Sequence, residues 1–212
     1  MSVVVAVFGS VWEARVHSHV CGDGHMYVEV GGRGLRYVVE YTSGEYVLVR
    51  DFVVSVYRAF GARPFVVRHR RGHYVARVRR KGIYFRLKAL GAGGSREWRV
   101  PHELFLGPGG VPRAEIVRAW LGAFIDDEGY IDLSKRRVII NSVNHQGLKD
   151  VQTLLSFLGV EAKTYRIAGG KAFRLTISGR ENIRRLTRSI ELAHPKKKER
   201  LRVLKTWSSK QG

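Results

Sequence analysis

The sequence predicts an α+β fold of two pseudo-twofold-related αββαββα repeats, each with an antiparallel sheet, joined where one motif helix from each packs against the other. Three observations carry this expectation. The first is the stretch Trp120-Leu121-Gly122-Ala123-Phe124-Ile125-Asp126-Asp127-Glu128-Gly129-Tyr130-Ile131, in which an apolar helix face runs into three acids that read as its end. The second is an echo 105 residues earlier: Val16 to Gly24 lies on Leu121 to Gly129, so that Asp23 meets Glu128 and Gly24 meets Gly129. The third is that each such stretch is followed by paired β-patterned runs joined by glycine-rich turns, which indicates hairpins and antiparallel pairing instead of crossovers.

Each element has its own signal. Residues 2–8 are a β-branched run that fits either a short strand or an extension of the first helix. Ser10, with Glu13 three residues on, has the capping-box pattern for a helix ending at Gly22-Asp23-Gly24. Runs at 26–30 and 35–41 form a hairpin around Gly31-Gly32-Arg33-Gly34. From 45 to 60 the apolar positions recur at helical spacing, and Gly61 has the place of a C′ residue. Strands at 64–70 and 74–79 and a helix at 82–90 complete the first repeat. After Pro112 the order returns, with a helix at 113–125, a hairpin at 129–142 and a helix at 145–158. Strands at 161–167 and 172–178, a helix at 181–192 and a basic helical tail from Pro195 follow. The expected division is 1–97 for the N-terminal repeat, 98–112 for a Pro/Gly-rich linker and 113–212 for the C-terminal repeat with its tail.

Composition narrows the function. With 44% hydrophobic residues in 212 the chain can bury real cores, while 38 Lys and Arg against 18 acids give a formal charge of +20. A basic excess spread along the whole chain attracts polyanions, nucleic acid first. The excess of Arg over Lys favours planar, bidentate contact with phosphate and guanine. The single cysteine, Cys21, makes no internal disulfide, and no His/Cys group has zinc spacing. The apolar run at 2–8 is far too short to span a bilayer and lacks a charged leader before it. These features set the expectation of an intracellular, cytoplasmic and nucleoid-associated protein with no membrane partner.

The doubled motif supplies the chemistry. If the two motif helices pack side by side, Asp23 and Glu128 emerge together, and paired carboxylates held close repel unless a cation lies between them. Hard oxygen donors without His or Cys suit Mg²⁺, which takes one or two carboxylates plus phosphate oxygens and water. A metal so placed can activate water and stabilise an in-line phosphodiester displacement. Solvent-exposed acids at a helix C-terminus would oppose the macrodipole, so a chance acid at both ends is disfavoured. Asp126 and Asp127 lack matching acids in the first copy and are expected beside the site or on the surface. His17 and His19 read as packing residues, and His25 as a minor neighbour of the site. On or beside the strands lie Arg36, Arg68, Arg70, Arg77 and Arg79, then Lys135, Arg136, Arg137, Lys163, Arg166, Lys171 and Arg174, candidates for DNA contact. On the last strand Phe173, Leu175 and Ile177 alternate with Arg174, Thr176 and Ser178, a core side and a recognition side.

With these residues in view, the chain from about Ser10 to Leu204 resembles the LAGLIDADG homing endonucleases in their single-chain, two-repeat form. The second motif, Leu121 to Gly129, matches closely, whereas the first keeps only its Gly-Asp-Gly end. The resemblance implies catalytic, metal-binding acids Asp23 and Glu128, with main-chain oxygens of Gly22 and Asp127 joining them. It implies Mg²⁺ or Mn²⁺ as cofactor, with Ca²⁺ able to occupy the site without supporting cleavage. It also implies a monomer whose strands form a saddle on a long double-stranded DNA site, cut in both strands with a short 3′ overhang. Family members often carry a Gln or Lys at the end of the second strand; here Tyr41-Thr42 and Asn141-Ser142 stand there, leaving Lys171, Lys135 and Lys81 as candidates. Without flanking splicing blocks, a free-standing or intron-encoded enzyme is expected. The alternatives are a maturase that binds intron RNA, and a catalytically inactive DNA-binding protein on the same scaffold.

Overall fold

The computed structural model describes residues 6–32, 34–69 and 72–209, with side chains to residue 206. In the first repeat the elements are α1 (Val11–Cys21), β1 (Gly24–Gly31), β2 (Gly34–Ser43), α2 (Tyr46–Phe60), β3 (Phe65–Arg68), β4 (Tyr74–Arg79) and α3 (Lys81–Ala89). Short 3₁₀ turns at His102–Phe105 and Pro108–Gly110 lead into the second repeat. That repeat contains α4 (Ala114–Glu128), β5 (Gly129–Asp132), β6 (Arg137–Ser142), α5 (His145–Phe157), β7 (Lys163–Ile167), β8 (Ala172–Ser178), α6 (Arg180–Ser189) and α7 (Pro195–Ser209). Both sheets are antiparallel with the same order, β1-β2-β4-β3 and β5-β6-β8-β7. Among the described residues no helix is long and apolar enough to cross a membrane.

Local chemistry places the ends of the helices. The Ser10 hydroxyl accepts from the Glu13 amide at 3.2 Å, and the Glu13 carboxylate turns back to Gly9 N–H, one residue earlier than a capping box would take it. Gly61 ends α2 in the left-handed region (φ 63°), its N–H returning to Tyr57 O at 2.9 Å. Asn144 caps α5 by accepting from Gly147 N–H at 2.8 Å. The acids at 126–128 do not end α4 as the sequence suggested: the helix runs through Glu128. Its exposed carbonyls are satisfied from outside the helix, by the Lys197 ammonium, which offsets the unfavourable acids at that end.

The two repeats meet through α1 and α4. Ala14 and Cys21 on one side and Val117, Trp120, Leu121 and Phe124 on the other are buried in one core. The Ser18 hydroxyl donates to Trp120 O at 2.8 Å, and Trp120 Nε1–H donates to His17 Nδ1 at 3.0 Å. Burial drives the His17 pKa down to about 3, so the ring stays neutral and accepts that bond, a packing role as expected. The connection at 98–112 is itself part of the core: Trp98, Val100, Leu104 and Phe105 are buried with the second repeat's apolar residues. Asp150 on α5 fastens it by accepting from Arg99 and from Val100 N–H. The start of the described chain resolves neither as strand nor as helix; Phe8 is buried against Phe105 and His17, and its N–H donates to Leu104 O.

Gly122 stands at a close approach between backbones. A Cβ there would come within 2.6 Å of Glu191 O on the segment between α6 and α7, so the close approach is by that segment's backbone instead of the partner helix. Gly122→Ala is expected to lower stability by about 1–3 kcal/mol, the usual cost of overpacking, read as a fall in the urea midpoint at unchanged slope.

Candidate active site at the ends of the paired helices

The last turns of α1 and α4 lie against each other, and their contact is asymmetric. Gly22 faces Asp127 so closely that a Cβ on Gly22 would be 2.8 Å from that of Asp127. In the doubled motif these two residues are counterparts, and only one side chain fits between the helices. The Asp127 carboxylate takes the space and crosses into the first repeat. There it accepts from Tyr41 Oη–H at 2.6 Å and meets His19 Nδ1 at 2.9 Å. His19 Nε2 lies 2.8 Å from Asp51, which also holds Arg15 at 2.5 and 3.0 Å. With both ring nitrogens facing carboxylates, His19 is an imidazolium. Burial alone would lower its pKa, but Asp127 and Asp51 outweigh that and raise it to about 9. His19 is therefore a charged link between repeats and not the packing residue the sequence suggested.

Asp23 and Glu128 follow directly on Gly22 and Asp127 and remain at the surface end of the helices. Burial, then Asp23, then Asp127 push the Glu128 carboxyl up to about 7. Burial and then Asp127 push Asp23 up to about 6, with Lys197 and His19 pulling the other way. Asp126 departs from the sequence reading: it is buried, and its carboxylate accepts from Ala193 N–H at 2.7 Å and His194 N–H at 3.0 Å, tying the segment before α7 to α4. The residue that sequence reasoning missed at the site is Lys197. Its ammonium donates to the carbonyls of Ile125, Asp126 and Asp127 at 3.2, 2.5 and 3.1 Å. Of the lysines suggested from sequence, Lys81 lies over the Tyr37 and Phe85 rings, whereas Lys135 and Lys171 lie in strand turns of the second sheet.

The strand registers sort the basic residues by face. In the first sheet Arg36, Glu40, Arg77 and Arg79 share the outer face, away from the helices. Arg77 is bonded to Glu40, which also accepts from Tyr27 Oη–H, and Arg79 lies 3.5 Å from Glu29. In the second sheet Arg137, Asn141, Lys163, Tyr165, Arg174 and Thr176 share that face. There Lys135, Arg137, Tyr165, Arg174 and Thr176 help line a groove of about 400 Å³. Arg174 donates to neutral Asn141 at 3.0 Å. Arg68 and Arg166 stand on the opposite, helix-side face, over the rings of Tyr74 and Phe173 at 5.7 Å each. Arg136 has a positive φ of 52° in the β5–β6 turn, and Arg70 lies outside the described residues.

Residues 115–191 match the family described as LAGLIDADG-like domain. The structure is similar to that of the homing endonuclease I-DmoI in complex with DNA and Ca, at TM-score 0.68 and 18% identity over 91% of this chain and 97% of that one. The family match lies within the second repeat, and the likeness to the solved structure is one of fold. The fold is also similar to that of full-length WhiA from Thermatoga maritima, at TM-score 0.60 and 12% identity, covering 97% of this chain and 63% of that one. A segment of 94 residues is 32% identical to part of an A-type ATP synthase protein from Pyrococcus abyssi (strain GE5 / Orsay). It spans 43% of this chain but only 9% of that protein.

The raised carboxyls of Asp23 and Glu128 make the protein's stability depend on pH. Between about pH 4 and pH 7 the folded chain keeps protons on Glu128 and Asp23 that the unfolded chain has already released. Stability from this pair therefore falls as pH rises through that window, and the penalty is complete above about pH 7. In chelator, Glu128→Gln is expected to match wild type at pH 4 and to exceed it by about 1 kcal/mol at pH 8, a figure reduced for solvent screening of this half-exposed pair. Chemical denaturation at the two pH values checks this, and a difference that does not grow with pH would contradict the burial and repulsion assigned to the pair.

Proposed function

We propose that the protein is a site-specific endonuclease that cuts both strands of a long DNA target by divalent-metal-dependent phosphodiester hydrolysis. The observation that carries the reading is the meeting of one carboxylate from each repeat, Asp23 and Glu128, at the ends of two packed helices. Burial, and then neighbouring carboxylates, raise the pKa values of both. Among the described residues no three His, Cys, Asp or Glu side chains converge as a metal cage. The donors that do fit are two hard carboxylates and the Gly22 main-chain oxygen, a set suited to Mg²⁺ or Mn²⁺ sharing its shell with phosphate and water. When bound, such an ion supplies Lewis acidity that lowers the pKa of water and stabilises the leaving oxygen.

The chain's own residues do the rest. Asp23 and Glu128, one from each repeat, would hold the cation, giving up their protons to solvent, and the scissile phosphate would lie near this shared helix end. The two outer sheet faces supply register and readout: Arg137 and Arg174 with Asn141 and Thr176 on one, Arg36, Arg77 and Arg79 with Glu29 and Glu40 on the other. Arg and Asn side chains can pair with base edges in the major groove, whereas Lys contacts phosphate as a point charge. The neighbour solved with DNA and Ca, and another solved with DNA and Mn, support DNA as the polymer and a divalent ion as the cofactor.

Asp23→Asn or Glu128→Gln is expected to abolish cleavage while leaving DNA affinity within a few-fold, measured by supercoiled-plasmid cutting and by binding in Ca²⁺. Two variants that cut like wild type would remove these acids from the site. Arg174→Ala is expected to weaken binding by about 1–3 kcal/mol and lower the salt slope by about one, whereas Arg166→Ala, on the helix-side face, leaves both unchanged. Equal effects of the two substitutions would contradict the assigned outer face.

A further inference from the structure

The ends of the two motif helices differ in a way that repeat symmetry does not predict. On α4 the Lys197 ammonium donates to three successive carbonyls, those of Ile125, Asp126 and Asp127. The counterparts on α1 are the carbonyls of Val20, Cys21 and Gly22. Among the described residues the first repeat ends in α3 and passes into the connection, with no equivalent of α7 to send a lysine back. Lys197 is held in place by its own segment: Ala193 and His194 donate to Asp126, and α7 begins two residues before the lysine. It is a fixed charge and not a mobile surface side chain. Burial lowers its pKa, while Asp127 and Asp126, then Asp23 and Glu128, act in the opposite direction, so it belongs to the site's charge balance.

The Asp127 side chain is fully buried while the residue as a whole is not, so what it exposes is main chain. The Asp127 main-chain carbonyl, counterpart of that of Gly22, already accepts from the ammonium at 3.1 Å. A divalent cation drawn to the same oxygen would meet a fixed positive charge at close range. Among the described residues no ammonium is bonded to Gly22 O, across the axis.

We propose that Lys197 is a resident cation of the composite site. It fills the Asp127 half of what symmetry would make a two-cation centre, so that divalent ions load once, on Asp23, Glu128 and the Gly22 carbonyl. This deepens the nuclease reading above and rests on Asp23 and Glu128 being its metal ligands. The lysine makes a positive charge permanent where a second ion would otherwise depend on metal supply, and it makes the two halves of the site inequivalent toward the two DNA strands.

Mn²⁺ binding, counted by calorimetry and by the electron paramagnetic resonance signal of free Mn²⁺, tests this without cleavage. Wild type is expected to bind one Mn²⁺ per chain at the site, counted as the binding lost in the Asp23→Asn/Glu128→Gln double variant. Lys197→Met is expected to gain a second ion or to bind the first at least tenfold more tightly, while Lys197→Arg, which keeps the charge, behaves as wild type. One ion in both wild type and a folded Lys197→Met, at equal affinity, would overturn the resident-cation role and leave the acid pair standing. Wild-type binding unchanged in the double acid variant would instead overturn the acid-pair reading itself. Should Lys197→Met fail to fold, the wild-type count decides alone, since two ions at the site with Lys197 present contradict the proposal.

Discussion

The structure depends on one crossing, that of α1 and α4 at Gly22 and Asp127. Two helix ends brought this close leave room for a single side chain between them, and the aspartate takes it. Everything functional about the site follows from that asymmetry. The main chains of the two last turns come into contact, which carries Asp23 and Glu128 side by side although they belong to different repeats. A bulkier residue at 22 would separate the helices and the acids with them.

A carboxylate pushed into a protein interior needs compensation, and the first repeat is built to provide it. His19, Tyr41, Asp51 and Arg15 form a continuous chain from the Asp127 carboxylate to the edge of α2, alternating negative and positive groups. Their second-repeat counterparts are apolar where they touch the axis: Phe124 stands where His19 does in the motif, and Ile140 pairs with Gly129 as Tyr41 pairs with Gly24. The pseudo-symmetry of the backbone thus hides a chemical division of labour. One repeat supplies the buried charge network, the other supplies the intruding acid and, through α7, the lysine that balances it. Buried ion pairs of this kind add little net stability but are costly to break, which suits a device whose task is to fix geometry at an interface.

Much of this was legible in the sequence, and the parts that were not have physical causes. The repeat and the element order follow from periodicity and glycine punctuation, because these are local properties of the chain. The pairing of Asp23 with Glu128 follows from the internal copy, since repeated chains fold into repeated shapes. The end of α4 was not legible, because three acids at a helix C-terminus read as a stop unless a cation from elsewhere holds the carbonyls, and Lys197 arrives from some 70 positions away. His19 was misread for the same reason: its partners, Asp51 and Asp127, are separated from it by 32 and 108 residues. Alternation along the strand sets Arg77 and Arg79 opposite Tyr74, Ala76 and Val78, yet it does not say that glutamates on neighbouring strands hold them, or that Arg68 and Arg166 fall on the other face. Pairing partners across a sheet are set by register, and register is a tertiary property.

A helix crossing tight enough to exclude one side chain brings together a carboxylate from each repeat. The proposed cation site is therefore composite, with one acid from each repeat. Anomalous diffraction from crystals soaked in Mn²⁺ tests this most directly. The predicted result is a peak between the Asp23 and Glu128 carboxylates at the shared end of α1 and α4. Ordered Mn²⁺ on either repeat alone, with the space between these two acids empty, would contradict it.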